Sequence, residues 1–151
     1  MNEQLIQELK QRMPDFDDPK KLSNLEIRAT KHHEREGRYS KMVFNNFSQA
    51  LAEIETKLKG KHKIARDLCR ATAGRFVIAF ELPAAESKKK LEKSLQAARN
   101  EYDNWVSNQQ EEWLNLQLES ALQEQAAINT KNQEKEDADF KATLLKALQA
   151  Y

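Results

Sequence analysis

The sequence predicts an all-α fold: an elongated helical bundle, or antiparallel coiled-coil hairpin, of two long helices with short helices at its ends. Three observations carry this. The 151 residues include only 3 Gly and 3 Pro, so few turns are available and a many-stranded sheet is disfavoured. Apolar residues recur at spacings of three and four over long stretches. The one run that is apolar all round, Phe76-Val-Ile-Ala-Phe80, has no convincing strand to pair with, and a lone strand leaves its backbone groups unpaired.

The elements follow in chain order within a single domain, 1–151. Residues 2–13 form a short helix, with Leu5, Leu9 and Met13 on one face beside Ile6. Pro14 to Pro19 break it, since proline lacks an N–H and biases the residue before it away from helix. Asp18-Pro19 can open the next helix as N-cap and first helical residue. Ser23 with Glu26 offers a second start at capping-box spacing. A long helix is predicted over 20–59, its stripe running Leu22, Leu25, Ala29, Tyr39, Val43, Phe47, Ala50, Ile54 and Leu58. Gly37 marks a possible kink within it, and Gly60 its stop.

A third helix is predicted over 61–82, burying 76–80. Pro83 separates it from a second long helix, 84–128, with the stripe Leu91, Leu95, Ala98, Tyr102, Trp105, Trp113, Leu116, Ala121 and Leu122. That stripe slips near Gln109, so it is no strict heptad zipper. Residues 129–139 are polar and read as a linker. Phe140, Leu144, Leu145, Leu148 and Tyr151 then share one face of a closing amphipathic helix, 140–151. Narrow apolar stripes on long helices need covering, which favours a homodimer.

The formal charge is +1, yet the charges are segregated. Residues 1–18 carry net −3, 19–75 net +8, 76–99 net +2 and 100–151 net −6. Either the acidic half neutralises the basic one, or the basic half is kept for an anionic partner. The single Cys excludes a disulfide scaffold and a multi-Cys metal site. No apolar run approaches a membrane span, and Met-Asn-Glu-Gln does not open like a signal peptide. The expectation is a cytoplasmic protein with no membrane partner.

Chemistry-bearing motifs are sparse. His32 and Glu36 stand one helical turn apart and could share a metal, as in helical-bundle sites. The matching Glu-x-x-His motifs on other helices are missing, as is His-Glu-x-x-His, so no metal site or cofactor is assigned. His62 and Cys69 are seven apart, but two ligands do not make a zinc site. Three isolated glycines cannot build a phosphate loop. No catalytic residue is assigned.

The most coherent polar feature is basic. Lys57, Lys59, Lys61, Lys63, Arg66, Arg70 and Arg75 crowd one segment. On a helix Lys63, Arg66 and Arg70 would make one cationic face opposite Ile64, Leu68 and Ala71, suited to a phosphate backbone. Lys88, Lys89, Lys90 and Lys93 add a second cluster, in first turns where the helix dipole disfavours cations. Tyr102, Trp105 and Trp113 lie nearly on one face. They serve either as core or as an aromatic anchor for a protein partner. The Phe140, Leu144 and Leu148 face is either a docked lid or a helix-in-groove ligand. The favoured function is therefore a non-catalytic adaptor or scaffold binding protein through its helices. The alternative is a protein that binds DNA or RNA through 57–75 and 88–93, and the outsider is a metal-dependent helical-bundle enzyme.

Overall fold

A computed structural model describes residues 3–150. It contains a sheet, so the all-α expectation is overturned. The elements are α1 (Glu3–Arg12), α2 (Pro19–His32), a π-turn (His33–Gly37), β1 (Tyr39–Phe44), α3 (Phe47–Lys59), β2 (Lys63–Ile64), a 3₁₀ turn (Arg66–Leu68), β3 (Arg70–Thr72), β4 (Arg75–Glu81) and α4 (Ala84–Gln149). They form two units: Asp17–Trp105, and the described residues of Met1–Phe16 with Val106–Tyr151.

In the first of these units, α2 starts as local chemistry dictates. Asp18 is the N-cap, its carboxylate accepting the Lys21 N–H at 3.2 Å, and Pro19 follows at the first helical position. The helix ends in the π-turn. There a Cβ on Gly37 would meet His33 Nδ1 at 2.8 Å, so only glycine lets the His33 ring pack this closely. Helix α2 runs antiparallel to the start of α4. Lys21 Nζ lies 4.6 Å from the Trp105 ring centroid, Glu26 meets Arg99 at 3.3 Å, and His33 Nε2 meets Ser87 Oγ at 2.9 Å. Leu25, Ala98 and Tyr102 are buried.

The predicted helix over 20–59 is thus α2, a π-turn, a strand and α3. Among the described residues α4 has no second long helix with which to form a hairpin. The predicted helix over 61–82 is also strands. Strand β4 is central and wholly antiparallel to its neighbours. On one side β1 pairs with it from Tyr39↔Glu81 to Phe44↔Phe76. On the other, β2 pairs through Lys63↔Glu81 and Ile64↔Phe80, and β3 through Arg70↔Val77 to Thr72↔Arg75. Between β2 and β3 the 3₁₀ turn interrupts the ladder. Cys69 fills the gap: its Sγ accepts the Ala79 N–H at 3.4 Å and lies 3.3 Å from the Ala65 carbonyl. Cys69 thus acts as a hydrogen-bonding plug in the sheet. Ala73 (φ 21°) and Gly74 (φ 84°) make the tight β3–β4 turn, whose positive φ values match strand twist.

Directly opposed residues of antiparallel strands share a face. One face carries Met42, Phe44, Phe76, Ile78 and Phe80, and α3 packs on it. Phe47 and Phe76 rings lie 5.8 Å apart, Ala50 is buried and Phe80 is 0% exposed. The second face carries Tyr39, Lys41, Val43, Lys63, Arg70, Thr72, Arg75, Val77, Ala79 and Glu81.

Tyr102 ties the start of α2 to α4. Its hydroxyl donates to Asp17 Oδ1 and accepts the Asp18 N–H, the latter at 2.7 Å. Donation to Asp17, and then burial, hold the phenol above its usual range near 10. A raised folded value means that the phenol stabilises the fold fully below about pH 10 and less as pH climbs through the folded value. The wild type should therefore lose melting temperature above about pH 10 faster than Tyr102→Phe. Parallel alkaline curves for the two proteins would contradict this.

In the other unit α1 buries Leu9. Helix α4 continues without Gly or Pro, and residues 129–139 are helical rather than a linker. Gln and Glu are good helix formers, and the pairs Gln125–Asn129 at 3.2 Å and Gln133–Asp137 at 3.3 Å join successive turns. The predicted helix ends at Asn2 and Tyr151 lie outside the described residues. Among the described residues no helix is long and apolar enough to cross a membrane.

Candidate nucleic-acid interface

The basic residues gather on strands and turns, not on a helical face. Lys57 and Lys59 occupy the last turn of α3. Gly60 caps that helix with φ −81°, and the left-handed residue is Lys61, φ 65°. Such a conformation is uncommon for a side-chain-bearing residue, and it falls at the mouth of a cleft. Lys63 is on β2, Arg66 in the 3₁₀ turn, Arg70 on β3 and Arg75 on β4. Lys88, Lys89, Lys90 and Lys93 stand in the first turns of α4.

The cleft measures about 530 Å³. Arg38, Lys61, Lys63 and Lys88 line it, with Glu81 as its carboxylate and His33, Ser87 and Leu91 as neighbours. All four cations are exposed at its walls. Ala84 also lines it, so the cleft sits at the start of α4. The first intrahelical bond there is Ser87 N–H to the Pro83 carbonyl, at 2.9 Å. Earlier N–H groups have no intrahelical acceptor, and the dipole favours negative charge at this end. Lys88, misplaced for helix stability, is well placed in the cleft to meet an anion.

Lys63 and Glu81 belong both to the cleft and to the second sheet face. From them the face continues through Lys41, Arg70 and Arg75, all exposed, with Val43 62% exposed. Strand β4 is seven residues long, so this track extends about 20 Å at ~3.4 Å per residue. At the cleft end the Arg38 guanidinium donates to the Tyr39 hydroxyl and lies 4.8 Å from that ring's centroid. The hydrogen bond to Tyr39 raises the Arg38 pKa above its already high ordinary value, so its charge is permanent.

The chain matches no family model, no curated protein and no solved structure.

Sequence reasoning brought Lys61, Lys63 and Lys88 to attention, and the fold joins them in the cleft. Lys57, Lys59, Arg66, Lys89, Lys90 and Lys93 are not among its lining residues. Arg38 and Lys41 were missed. The signal that could have found them is the alternation of Tyr39-Ser-Lys-Met-Val-Phe44, which sets Tyr39, Lys41 and Val43 on one side of a strand. Arg66 lines a neighbouring hollow of about 370 Å³ with Tyr39, Asp67 and Glu81.

The remaining candidates separate. Tyr102 is core, and Trp105 is half-buried under Lys21. Trp113 is half-buried on α4. Phe140, Leu144 and Leu148 are exposed. His32 Nδ1 and Glu36 Oε2 are 3.9 Å apart, both side chains more than 60% exposed. No group of three or more His, Cys, Asp or Glu among the described residues is placed to hold a metal ion.

Proposed function

We propose that the protein is a non-catalytic, cytoplasmic nucleic-acid-binding protein. The phosphate backbone would lie along the second sheet face and enter the cleft at the start of α4. The observation that supports this is the convergence of Arg38, Lys61, Lys63 and Lys88 on one cleft where, among the described lining residues, Glu81 is the only carboxylate, continued by Lys41, Arg70 and Arg75 on the adjoining face. These cations come from five separate stretches of chain. Packing α3 against the opposite face leaves them at the surface, where cations serve phosphate contact.

Titration with a single-stranded oligonucleotide and a duplex, across salt, tests the reading. With some six or seven phosphate contacts, affinity should fall by about 10³ between 50 and 200 mM salt. Absence of binding to both probes at 50 mM salt would sink it.

The adaptor reading keeps a separate support. The end of α4 presents Phe140, Leu144, Leu145 and Leu148 to solvent, an apolar face suited to a protein partner.

A further inference from the structure

We propose that the cleft takes the terminal phosphate monoester of a nucleic-acid strand, held at the start of α4 by the Ser87 hydroxyl, the open N–H groups of that helix, Arg38 and Lys88. The inference rests on the nucleic-acid reading and narrows it, from contact with any stretch of backbone to capture of a strand's end.

A buried ring sets the direction of the hydroxyl. His33 is 6% exposed and forms a wall of the cleft. Its Nδ1 has no hydrogen-bond partner, alone among the buried side-chain nitrogens and oxygens of the described residues. Gly37 packs on that atom, where a Cβ would lie 2.8 Å away. A proton on Nδ1 would be a buried donor without an acceptor, a rarer and costlier state than a bare ring nitrogen. The hydrogen-bond network therefore assigns a neutral ring with its proton on Nε2, and that proton goes to Ser87 Oγ at 2.9 Å. Ser87 is left with its own O–H to donate. Among the described residues its side chain has no other hydrogen-bond partner, so the donor is kept for something that enters the cleft.

The backbone adds donors beside it. Pro83, which precedes α4, has no side-chain acceptor with which to cap the helix, and Ser87 N–H is the first to find a helical partner. The N–H groups of Ala84, Ala85 and Glu86 have none, which suits an anion. Glu86, the other carboxylate of this turn, does not line the cleft and lies 3.8 Å from His62 Nε2. Arg38, Lys61, Lys63 and Lys88 against Glu81 leave an excess of three positive charges among the described lining residues. A phosphate monoester brings a charge of about −1.5 to −2 and three acceptor oxygens, against a single charge for a phosphate within a strand. The donor set and the charge suit the monoester. The sheet also runs out here. Glu81 ends β4 and pairs with the first residue of β1, Tyr39, and the first of β2, Lys63. A strand laid along the second face thus reaches the limit of that face at the cleft.

The test titrates the full-length chain with one single-stranded oligonucleotide in three forms: with a 5′ phosphate, with a 3′ phosphate, and with hydroxyls at both ends. Each carries an internal fluorophore and is read by anisotropy at about 50 mM salt, where phosphate contacts are little screened. One phosphorylated form should bind at least about tenfold tighter than the hydroxyl form, the worth of one added charge-assisted hydrogen bond. Which form it is identifies the end recognised. Equal affinities for all three would overturn the inference and leave the nucleic-acid reading standing, whereas no binding by any form removes both. Equal gains from the two phosphates would report added charge alone and also overturn it. Ser87→Ala should cut the preference to about threefold or less, and Ser87→Thr, which keeps the hydroxyl, should preserve it. A full preference in Ser87→Ala would place the strand's end elsewhere. Inorganic phosphate, added at constant ionic strength, should erase the preference, and its persistence would count against a phosphate site in the cleft.

Discussion

Phe80→Ala is expected to be the most damaging single truncation in the sheet unit, lowering its stability by about 3–5 kcal/mol. Phe80 is 0% exposed and sits on the central strand. It shares the α3-facing side of the sheet with Phe76 and Ile78, so removing its ring opens a cavity that strands paired on both edges cannot close. Domains are commonly stable by only about 5–15 kcal/mol, so the loss amounts to much of the total. Urea unfolding followed by circular dichroism measures it. Val43→Ala, on the same sheet but 62% exposed, should cost less than about 1 kcal/mol. Comparable losses for the two would mean that α3 does not cover the face described.

Reversing the cleft charges is expected to weaken nucleic-acid binding by at least about a hundredfold at 50 mM salt while leaving the fold intact. The variant is Arg38→Glu, Lys61→Glu and Lys63→Glu together. These side chains are exposed, so their replacement creates no cavity. Each lost phosphate contact should also flatten the dependence of log affinity on log salt by about 0.7–0.9, a readout that misfolding would not mimic. Lys57→Glu with Lys59→Glu, also cationic but outside the cleft lining, supplies the control. Equal weakening by both variants would mean a diffuse attraction to the whole basic segment.

The helical parts of the chain were legible where the chemistry is local. Asp18-Pro19 shows a cap and a fixed φ in two adjacent residues. The strands were not legible, for a definite reason. Tyr39, Val43 and Phe47 are spaced by four, and four is both an even number and nearly one helical turn. That spacing fits either period. With β1 read as helix, Phe76–Phe80 has no strand to pair with and reads as helix by default. The turn that pairs β3 with β4 is Ala73-Gly74, which lacks the Asn-Gly or Asp-Gly signature of such turns. The site was half legible for the same reason. Its lysines stand out by composition in any conformation. Arg38 joins them because the chain turns at Gly37 into a strand, beside a His33 ring that packs on Gly37 and meets the distant Ser87. Residues 129–139 show the opposite case: their polarity suggests a linker, yet their residue types favour the helix they form.

One arrangement bears on how the chain is made. The sheet unit is contiguous from Asp17 to Trp105, whereas the other unit joins a stretch from each end of the sequence. A nascent chain can therefore complete the sheet unit as soon as its last residues emerge, in keeping with domains folding as units during synthesis. Helix α1 precedes that unit in the chain and Val106 onward follows it, so the two stretches of the other unit can meet only after the sheet unit has been made. A folded intervening segment, with Asp18 held against Tyr102, shortens the effective loop and so lowers the entropy cost of bringing the two stretches together.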